Sequence, residues 1–294
     1  MKRRLVSMFM VGMMVTGMAT GCGSEAEITD TQVPEATSVV QTGDSDVVES
    51  DTTDKAEVPQ TETPAENFKT KVLEDGTIEI DSYDGDYEAI VIPAQIGGRD
   101  VTVIGGFANE DEITSVVIPD TVREISNQAF LNCFNITSVK MGANVEVIGD
   151  NAFDGEFEEI TLPDTLKIIG RNAFYGQPFK TLYIPEQVEE IGAGAFHGID
   201  VENMTIPGSV KIIEQQAFHY CDKLETVVIE EGVETIENEV FKNCTSLKTI
   251  TIPSSVTSMG DSTFSECSNV TIIAEPGSYA EEFAIRNDIP VQNP

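Results

Sequence analysis

Hydrophobic and polar positions recur along this chain in one pattern, repeated eight times between Ile90 and Met259. The typical copy contains an apolar triplet ending in Ile-Pro, an apolar pair ending in Ile-Gly, and then Ala-Phe, with local breaks such as Met141-Gly142 and Ile229-Glu230. Successive copies follow one another every 21 to 23 residues. A fixed period of this length is typical of a solenoid, because a single unit cannot bury its apolar side and must stack on its neighbours. The pattern therefore predicts a coil of stacked turns.

Two apolar segments build each turn. In the copy that starts at Ile113, Val116 and Ile118 lie two residues apart, which predicts a short strand with both side chains facing inward. The proline that follows has no backbone N–H and ends the strand. In the second segment, Val122 and Ile125 lie three residues apart. That spacing fits a bent extended segment and a helical turn equally well, so the sequence leaves both open.

A phenylalanine closes each copy. Stacked turns lie about 4.8 Å apart and bring equivalent residues together, so these rings predict an aromatic column inside the coil. An aromatic stripe at the repeat period is typical of a core, and we assign it to packing rather than to a ligand site. The column consists of Phe107, Phe130, Phe153, Phe174, Phe196, Phe218, Phe241 and Phe264.

The combined pattern of Ile-Pro, Ile-Gly, Ala-Phe and Asn-Cys resembles the BspA-type leucine-rich repeat family of bacterial surface proteins, over roughly Phe68 to Val291. The resemblance implies a leucine-rich repeat solenoid, a right-handed coil of short parallel strands joined by turns or short helical segments. It also implies adhesion to host proteins, to proteins of neighbouring cells, or to glycans. Two copies depart from the pattern, because those around Phe157 and Phe179 are shorter and lack the terminal Cys.

Predicted caps flank the repeats, which occupy residues 113–277. Residues 68–112 comprise an N-terminal cap and a first irregular repeat, and Glu74 to Thr77 form a hairpin signal between alternating apolar residues. Residues 278–294 form a C-terminal cap, in which Ser278 and Glu281 have the spacing of a capping box for a short helix. We expect each cap to shield one open end of the coil.

The N-terminal region predicts export. Residues 1–21 have the basic start, apolar run and small residues of a signal peptide. Cys22 follows them in a setting that resembles the lipobox of bacterial lipoproteins, which implies a lipid anchor on Cys22. Ordinary cleavage with release and an uncleaved membrane helix are the alternatives. Residues 22–67 have an acidic composition without aromatic side chains and predict a disordered tether. We therefore expect an outward-facing protein, lipid-anchored to the bacterial cell envelope, with no other membrane contact.

The charge limits the class of partner. The formal net charge is −34, and losing Lys2, Arg3 and Arg4 with the signal peptide makes it −37. Such a field repels nucleic acid and anionic lipid head groups, and it leaves basic or neutral partners. Solubility in an extracellular medium explains the same charge without any partner.

Four cysteines share a late position in their copies. Stacking brings neighbouring sulfurs within range of disulfide or metal geometry. Buried thiols are nevertheless favoured, because Cys is among the most buried residue types and no C-x-x-C spacing indicates zinc. Disulfide pairing in an exported chain is the alternative. These residues are Cys133, Cys221, Cys244 and Cys267.

Candidate binding residues are those that break the period. Tyr175, His197 and His219 follow the phenylalanine column in three adjacent turns, and with Tyr220 they predict an aromatic stripe on one edge. Two imidazoles are too few to hold a metal ion. A run of exposed side chains without a role is the alternative.

A second candidate surface is the outward face of the triplet strands. There Tyr183 is expected among hydroxyl side chains, with Glu159 and Lys140 on nearby strands. Repeat proteins use such sheets for binding, and an exposed tyrosine is a suitable anchor. Threonine and valine also favour strands in the absence of any ligand, which is the alternative.

No catalytic set is visible in the sequence. There is no glycine-rich phosphate loop, nucleophile elbow or His-Glu-x-x-His motif, and Asp81 to Asp86 lacks the ligand spacing of an EF-hand. We predict a non-enzymatic protein without cofactor or metal that recognises an extracellular protein or glycan. A structural scaffold for other envelope proteins is the alternative. The ligand, the binding face and the oligomeric state stay open.

Overall fold

A computed structural model describes residues 61–294, so the predicted signal peptide, Cys22 and the tether up to residue 60 lie outside the described residues. Within residues 61–294, no helix is long and apolar enough to cross a membrane. The elements in chain order are a 3₁₀ turn (Ala65–Asn67), β1 (Phe68–Val72), β2 (Ile78–Tyr83), β3 (Ala89–Val91), β4 (Gln95–Ile96), β5 (Arg99–Ile104), β6 (Ser115–Val117), β7 (Glu124–Ile125), β8 (Ser138–Lys140), β9 (Val147–Ile148), β10 (Ile168–Ile169), β11 (Glu190–Ile191), β12 (Asn203–Ile206), β13 (Ile212–Ile213), β14 (Thr226–Ile229), β15 (Thr235–Ile236), β16 (Thr249–Thr251), β17 (Ser258–Met259), β18 (Thr271–Ile273), α1 (Tyr279–Arg286) and β19 (Val291–Gln292).

The second apolar segment of each turn forms a sheet that runs without interruption along the coil. Its two-residue strands pair in parallel from β7 through β9, β10, β11, β13 and β15 to β17. Equivalent residues are in register, as Ile125 with Ile148 and Ile148 with Ile169, and all three are fully buried. The segment that the sequence left as extended or helical is therefore extended, because the parallel ladder satisfies its backbone groups in every turn.

The strands that contain the apolar triplets form a second face, and this face is interrupted. One sheet contains β3, β6 and β8, and a separate sheet contains β12, β14, β16, β18 and β19, all in parallel pairs. The predicted strands at Glu159 and Tyr183 lie between the two sheets, and that prediction is wrong because residues 159–161 and 181–183 are not in strands. Within the described residues, no N–H of residues 160–162 or 181–184 makes a backbone hydrogen bond.

The interruption coincides with two buried phenylalanines. Phe157 and Phe179 take the first position of these two turns, and their ring centroids lie 5.5 Å apart. Each ring also meets the column edge-on, Phe157 against Phe153 at 5.8 Å and Phe179 against Phe174 at 5.6 Å. The next turn starts at Val201 and is equally short, yet it keeps strand β12. We therefore attribute the gap to the large ring at the first position and not to the shorter turn.

The predicted aromatic column is present. Rings of successive turns are stacked from Phe107 to Phe264, with centroid separations between 5.0 and 5.9 Å. Each end is closed by an aromatic residue of a cap, Tyr83 at 5.5 Å from Phe107 and Phe283 at 6.3 Å from Phe264. Because large aromatic side chains bury more apolar area than other residues, this column is the main element of the core.

Both predicted caps are confirmed. β1 and β2 form an antiparallel hairpin, and β2 pairs with β5 so that the first edge of the long sheet is covered. At the other end, the Ser278 hydroxyl accepts a hydrogen bond from the Glu281 N–H at 3.2 Å and begins α1. The Glu281 carboxylate accepts from the Gly277 N–H at 2.6 Å, one residue earlier than a standard capping box.

The fold begins before Phe68. Thr63 is buried, its N–H donates to the Val91 carbonyl at 2.9 Å, and its hydroxyl accepts from the Val91 N–H at 3.0 Å. This pairing extends the edge of β3. The C-terminal end of the predicted tether, from residue 61 onwards, therefore packs on the coil.

Candidate functional site

Four aromatic side chains from three adjacent turns gather on one edge of the coil, and we call Tyr175, His197, His219 and Tyr220 the aromatic edge. The rings of Tyr175 and His197 are stacked, with centroids 4.2 Å apart and an interplanar angle of 12°. The His197 ring lies 5.1 Å from His219 and 5.5 Å from Tyr220. Tyr175 and Tyr220 are 50% and 49% exposed. The structure thus brings all four predicted residues into one cluster around His197.

Tyr220 has an unusual backbone conformation. Its φ is 58°, in the left-handed region that costs a non-glycine residue about 1–2 kcal/mol. The Tyr220 N–H donates to the Lys242 carbonyl of the next turn at 3.0 Å, which helps to hold this corner. A bulky ring at this φ is rare, so the position is a candidate for function. The equivalent corners with positive φ carry Asn109, Asn132, Gly176, Gly198, Asn243 and Glu266.

The two imidazoles are not simply exposed side chains, because His219 is only 8% exposed. Its Nε2 lies 3.1 Å from the Asn243 amide nitrogen, which donates to it when the imidazole is neutral. Burial lowers the pKa of His219 below the ordinary value of 6.5. Burial, and then the proximity of His219, lowers the pKa of His197 in the same direction. The aromatic edge is therefore uncharged at neutral pH.

Lys242, whose charge acts on His219, is already paired. The Glu239 carboxylate accepts hydrogen bonds from Lys242 at 2.6 Å and from the Gln216 amide at 2.6 Å. The Lys242 hydrogen bond is the main cause that lowers the pKa of Glu239. The Lys242 charge is thus offset beside the aromatic edge, and this ion pair contributes no net charge to it.

Two glycines leave a surface strip without side chains beside the aromatic edge, and we call this strip the trough. Gly176 and Gly198 occupy the corner positions equivalent to Tyr220 in the two preceding turns, with φ of 71° and 73°. A Cβ added at Gly176 would meet no atom within 4 Å, and one at Gly198 would meet only the Gly176 Cα at 3.9 Å. The space that asparagine side chains fill in other turns is therefore open next to Tyr175 and His197. Sequence reasoning missed this trough, although the change from asparagine to glycine in this column was a readable signal.

Gln177, directly after Gly176, is a second feature that sequence reasoning missed. It is 1% exposed, and its Oε1 is the one buried side-chain oxygen in residues 61–294 without a hydrogen-bond partner. The equivalent residues of the next two turns are Ile199 and Cys221, both fully buried. A polar side chain thus replaces an apolar one in the core immediately below the trough.

Tyr183 lies in the gap of the triplet face and is 59% exposed. It lines two grooves, one of about 460 Å³ with the apolar residues Leu182, Met204 and Val228, and one of about 570 Å³ with polar residues. Neither groove is lined by Lys140 or Glu159. Lys140 ends β8, and Glu159 lies in an exposed segment outside the strands. The structure therefore does not place Glu159 and Lys140 in a common groove with Tyr183, because the strands expected to align them do not form.

The cysteine column consists of buried free thiols. Each Sγ donates to the carbonyl of a column phenylalanine in the preceding turn, for example Cys133 to Phe107 at 3.0 Å and Cys244 to Phe218 at 3.2 Å. Burial raises the pKa of Cys133 to about 11. The alternatives left by the sequence are thus resolved in favour of core thiols for Cys133, Cys221, Cys244 and Cys267.

No metal-binding cluster is formed by the part of the chain that the structure describes. In residues 61–294, no three His, Cys, Asp or Glu side chains are grouped so that they could hold a metal ion. His197 and His219 contact each other and aromatic rings, not a carboxylate. The site offers ring faces and an open trough for binding.

A family comparison accounts for the repeat. The model of the BspA-type leucine-rich repeat region matches residues 103–156 and 154–271, with six copies. The chain belongs to this family. The BspA-type repeats of this protein include the aromatic edge, the glycine trough and Tyr183, so all three are variations within the repeat and not insertions.

Solved structures agree with this assignment of the fold. A leucine-rich repeat protein of T. pallidum is 27% identical, with a TM-score of 0.58 over 64% of this chain and 91% of that one. A leucine-rich repeat protein from Bacteroides ovatus is 25% identical, with a TM-score of 0.51 over 71% of this chain and 70% of that one. Among curated proteins, none matches this chain. The fold of a BspA-type repeat does not by itself define a ligand.

Proposed function

We propose that this protein is a non-enzymatic recognition module of the bacterial cell surface, exported by its signal peptide and held by a lipid on Cys22. Its ligands are extracellular proteins or glycans, as in adhesion. Membership of a family of bacterial surface proteins supports the location, and the three-part N-terminal sequence supports export. The scaffold offers ring faces and hydrogen-bonding groups for binding, whereas the described residues hold no metal-binding cluster.

The observation that carries the proposal is the aromatic edge. Exposed tyrosines lose little conformational entropy when they bind, and they are enriched where proteins contact partners. Here two half-exposed tyrosines are held in place by ring contacts with His197 and His219, so the surface is already ordered before a ligand arrives. A strained corner at Tyr220 supports a role beyond packing.

Binding of the mature chain to a panel of matrix proteins and polysaccharides tests the proposal. We expect at least one ligand, with binding reduced tenfold or more by Tyr175→Ala together with Tyr220→Gly. Phe134→Ala is the matched control, because Phe134 is an aromatic residue of similar exposure outside the edge. Tyr183→Ala tests the second candidate surface in the same assay. Absence of binding to the whole panel would contradict the adhesion function.

A structural scaffold for other envelope proteins is the second candidate. The interrupted triplet face favours it, since β8 and β12 each end a sheet at the gap and Tyr183 projects between them. Unpaired strand edges bind extended segments of other proteins. Cross-linking in envelope fractions separates the two functions: endogenous partners linked through residues 159–161 or 181–183 favour a scaffold, and external ligands favour adhesion.

The lipid anchor has its own test. Cys22→Ser removes the thiol that would carry the lipid, so we expect the protein to move from the membrane fraction to the soluble fraction and to lose incorporation of labelled fatty acid. Ser38→Ala in the same tether is the matched control. A Cys22→Ser protein that stays in the membrane fraction would contradict anchoring by a lipid on this residue.

A further inference from the structure

We propose that the trough beside the aromatic edge binds the cationic side chain of a basic partner protein, an arginine or a lysine held against Tyr175 and Tyr220. The inference rests on the proposed function and narrows it from protein or glycan to one class of ligand. The shape of the trough, the ring faces beside it and the charge around it support this class of ligand.

The shape admits one extended side chain. Gly176 and Gly198 supply a floor without side chains that spans two adjacent turns, about 4.8 Å apart. Tyr220 follows in the same column in the next turn. Tyr175 and His197 take the column next to it and stack on each other, which fixes the Tyr175 ring. A long side chain lying along the floor would meet two tyrosine rings.

The ring faces favour a cation. One face of Tyr175 is covered by His197, whereas half of its surface is exposed, so a face is left for a ligand. A guanidinium or ammonium group within about 6 Å of a tyrosine centroid is attracted by the ring quadrupole. Guanidinium also stacks on aromatic faces, so arginine is the better fit.

The charges around the trough favour a cation as well. Asp154 occupies the position of Tyr175 in the preceding turn. Asp200 lies two residues after Gly198, and Asp222 lies two residues after Tyr220. Of the cations nearby, Lys242 is paired with Glu239, and Lys223 lies beside Asp222. His197 and His219 are neutral at neutral pH and do not repel a positive ligand. The formal charge of −34 for the chain attracts basic partners from a distance.

Charge also distinguishes this ligand from a glycan. Protonation of His197 and His219 would place positive charge next to the trough, so a bound cation would be repelled as the pH falls through their lowered pKa values, which lie below 6.5. The other charged groups near the trough are Asp154, Asp200, Asp222 and the Glu239–Lys242 ion pair. A neutral glycan would show no comparable electrostatic loss.

The experiment measures binding of two short peptides to the mature full-length chain. One peptide carries a single arginine and no other charged residue, and the other carries citrulline in place of that arginine. A single charge keeps non-specific attraction to an acidic protein small. We expect NMR shifts in Tyr175 and Tyr220, and binding of the arginine peptide at least tenfold tighter than that of the citrulline peptide at pH 7.5. The binding of the arginine peptide should weaken as the pH is lowered through the pKa values of His197 and His219. Tyr175→Phe should keep binding, because it keeps the ring, and Tyr175→Leu should lose it tenfold.

The outcomes separate the two proposals. Equal binding by Tyr175→Leu and the unchanged protein would mean general electrostatic attraction and would overturn the inference. Glycan binding that maps to the aromatic edge, without preference for arginine, would overturn the inference and leave the recognition function standing. Unfolding of each variant by urea is the control for stability, and Phe134→Ala is the control for an exposed aromatic residue outside the aromatic edge.

Discussion

Two stretches of the coil, each two turns long, differ in how they use the same repeat. In the regular turns, residues 218–263, the triplet strands β14 and β16 pair in register and the first position is Leu224 or Leu247. In the short turns, residues 153–195, the first position is Phe157 or Phe179 and the triplet strands are absent. The long sheet and the aromatic column continue through both stretches.

The difference shows which contacts the coil requires. Loss of strand pairing on the triplet face leaves the stacking of the turns intact, because the long sheet and the stacked rings continue. The short turns contain or adjoin Tyr175, Gln177, Tyr183 and the glycine trough, and the regular turns contribute His219 and Tyr220 to the aromatic edge. The aromatic edge therefore spans the boundary between the two stretches, whereas the exposed Tyr183 and the buried unpaired Gln177 belong to the short turns alone.

The largest expected effect tests the core of the short turns. Phe179→Ala should lower the free energy of unfolding by about 3–5 kcal/mol, because it leaves a cavity beside the two rings of Phe157 and Phe174. Urea unfolding followed by circular dichroism measures the change. Tyr183→Ala, an exposed position of the same turn, should change stability by no more than about 0.5 kcal/mol. A loss below about 1.5 kcal/mol for Phe179→Ala would mean that the short turns are loosely packed.

A pair of proline substitutions compares the two faces directly. Thr226 and Thr181 share one column, but the Thr226 N–H donates to the Glu202 carbonyl at 3.2 Å, and the Thr181 N–H makes no backbone hydrogen bond within the described residues. Thr226→Pro should therefore cost about 3 kcal/mol or more. Thr181→Pro should cost less than about 1 kcal/mol. Equal losses in urea unfolding would contradict the unpaired state of the short turns.

Replacing Gln177 should stabilise the short turns. Gln177→Ile copies the residue of the next turn and removes a buried unpaired oxygen, so we expect an increase of about 1–2 kcal/mol in the free energy of unfolding. The reverse substitution in the next turn, Ile199→Gln, should destabilise by a similar amount or more. A neutral result for Gln177→Ile would mean that the Gln177 oxygen finds a partner in solution.

Substitution of Tyr220 tests whether backbone strain is retained at the binding surface. Tyr220→Gly should raise the free energy of unfolding by up to about 1 kcal/mol, because glycine accepts a positive φ and the lost ring is half exposed. The same change should remove ligand binding. Gly198→Ala, in the equivalent corner, should instead destabilise by about 1 kcal/mol. Destabilisation by Tyr220→Gly would show that its ring contacts outweigh the backbone strain.

The smallest expected effect is a dependence of stability on pH. His197 and His219 have a lower pKa in the folded state than the ordinary 6.5 of an unfolded chain, so the unfolded state binds more protons between the two values. Their contribution to stability is complete above about 6.5 and is lost as the pH falls towards the folded pKa. Urea unfolding from pH 7.5 to 5 measures it, and a His197→Gln, His219→Gln protein should show a flatter profile. An unchanged profile would mean that carboxylates dominate in this range.

Much of the fold could be predicted because the signal recurs in every copy. The phenylalanine column, the strand at Val116 and the caps around Ser278 rest on local spacing that each turn repeats. Whether the segment with Val122 and Ile125 is extended or helical could not be predicted from its own residues, because a spacing of three fits both. The parallel strand pairing that makes it extended depends on the neighbouring turn.

The site could be predicted less well. The four residues of the aromatic edge were visible as breaks in the period, but the burial of His219 and the open trough over Gly176 depend on side chains of adjacent turns. The expected grouping of Tyr183 with Glu159 and Lys140 failed because it assumed paired strands. Two large rings at Phe157 and Phe179 decide that region, and their effect is not contained in the repeat pattern.

The sequence by itself determined that this chain is a solenoid of stacked turns, because burial of one apolar side at a fixed period admits few other architectures. It also determined which side chains fall outside that period. Only the tertiary structure decided which of them meet: it stacked Tyr175 on His197, buried His219 beneath Tyr220, and left Tyr183 in a gap. The physical reason is that stacking fixes columns, whereas contacts between columns depend on the size of each side chain and on the backbone corner that carries it.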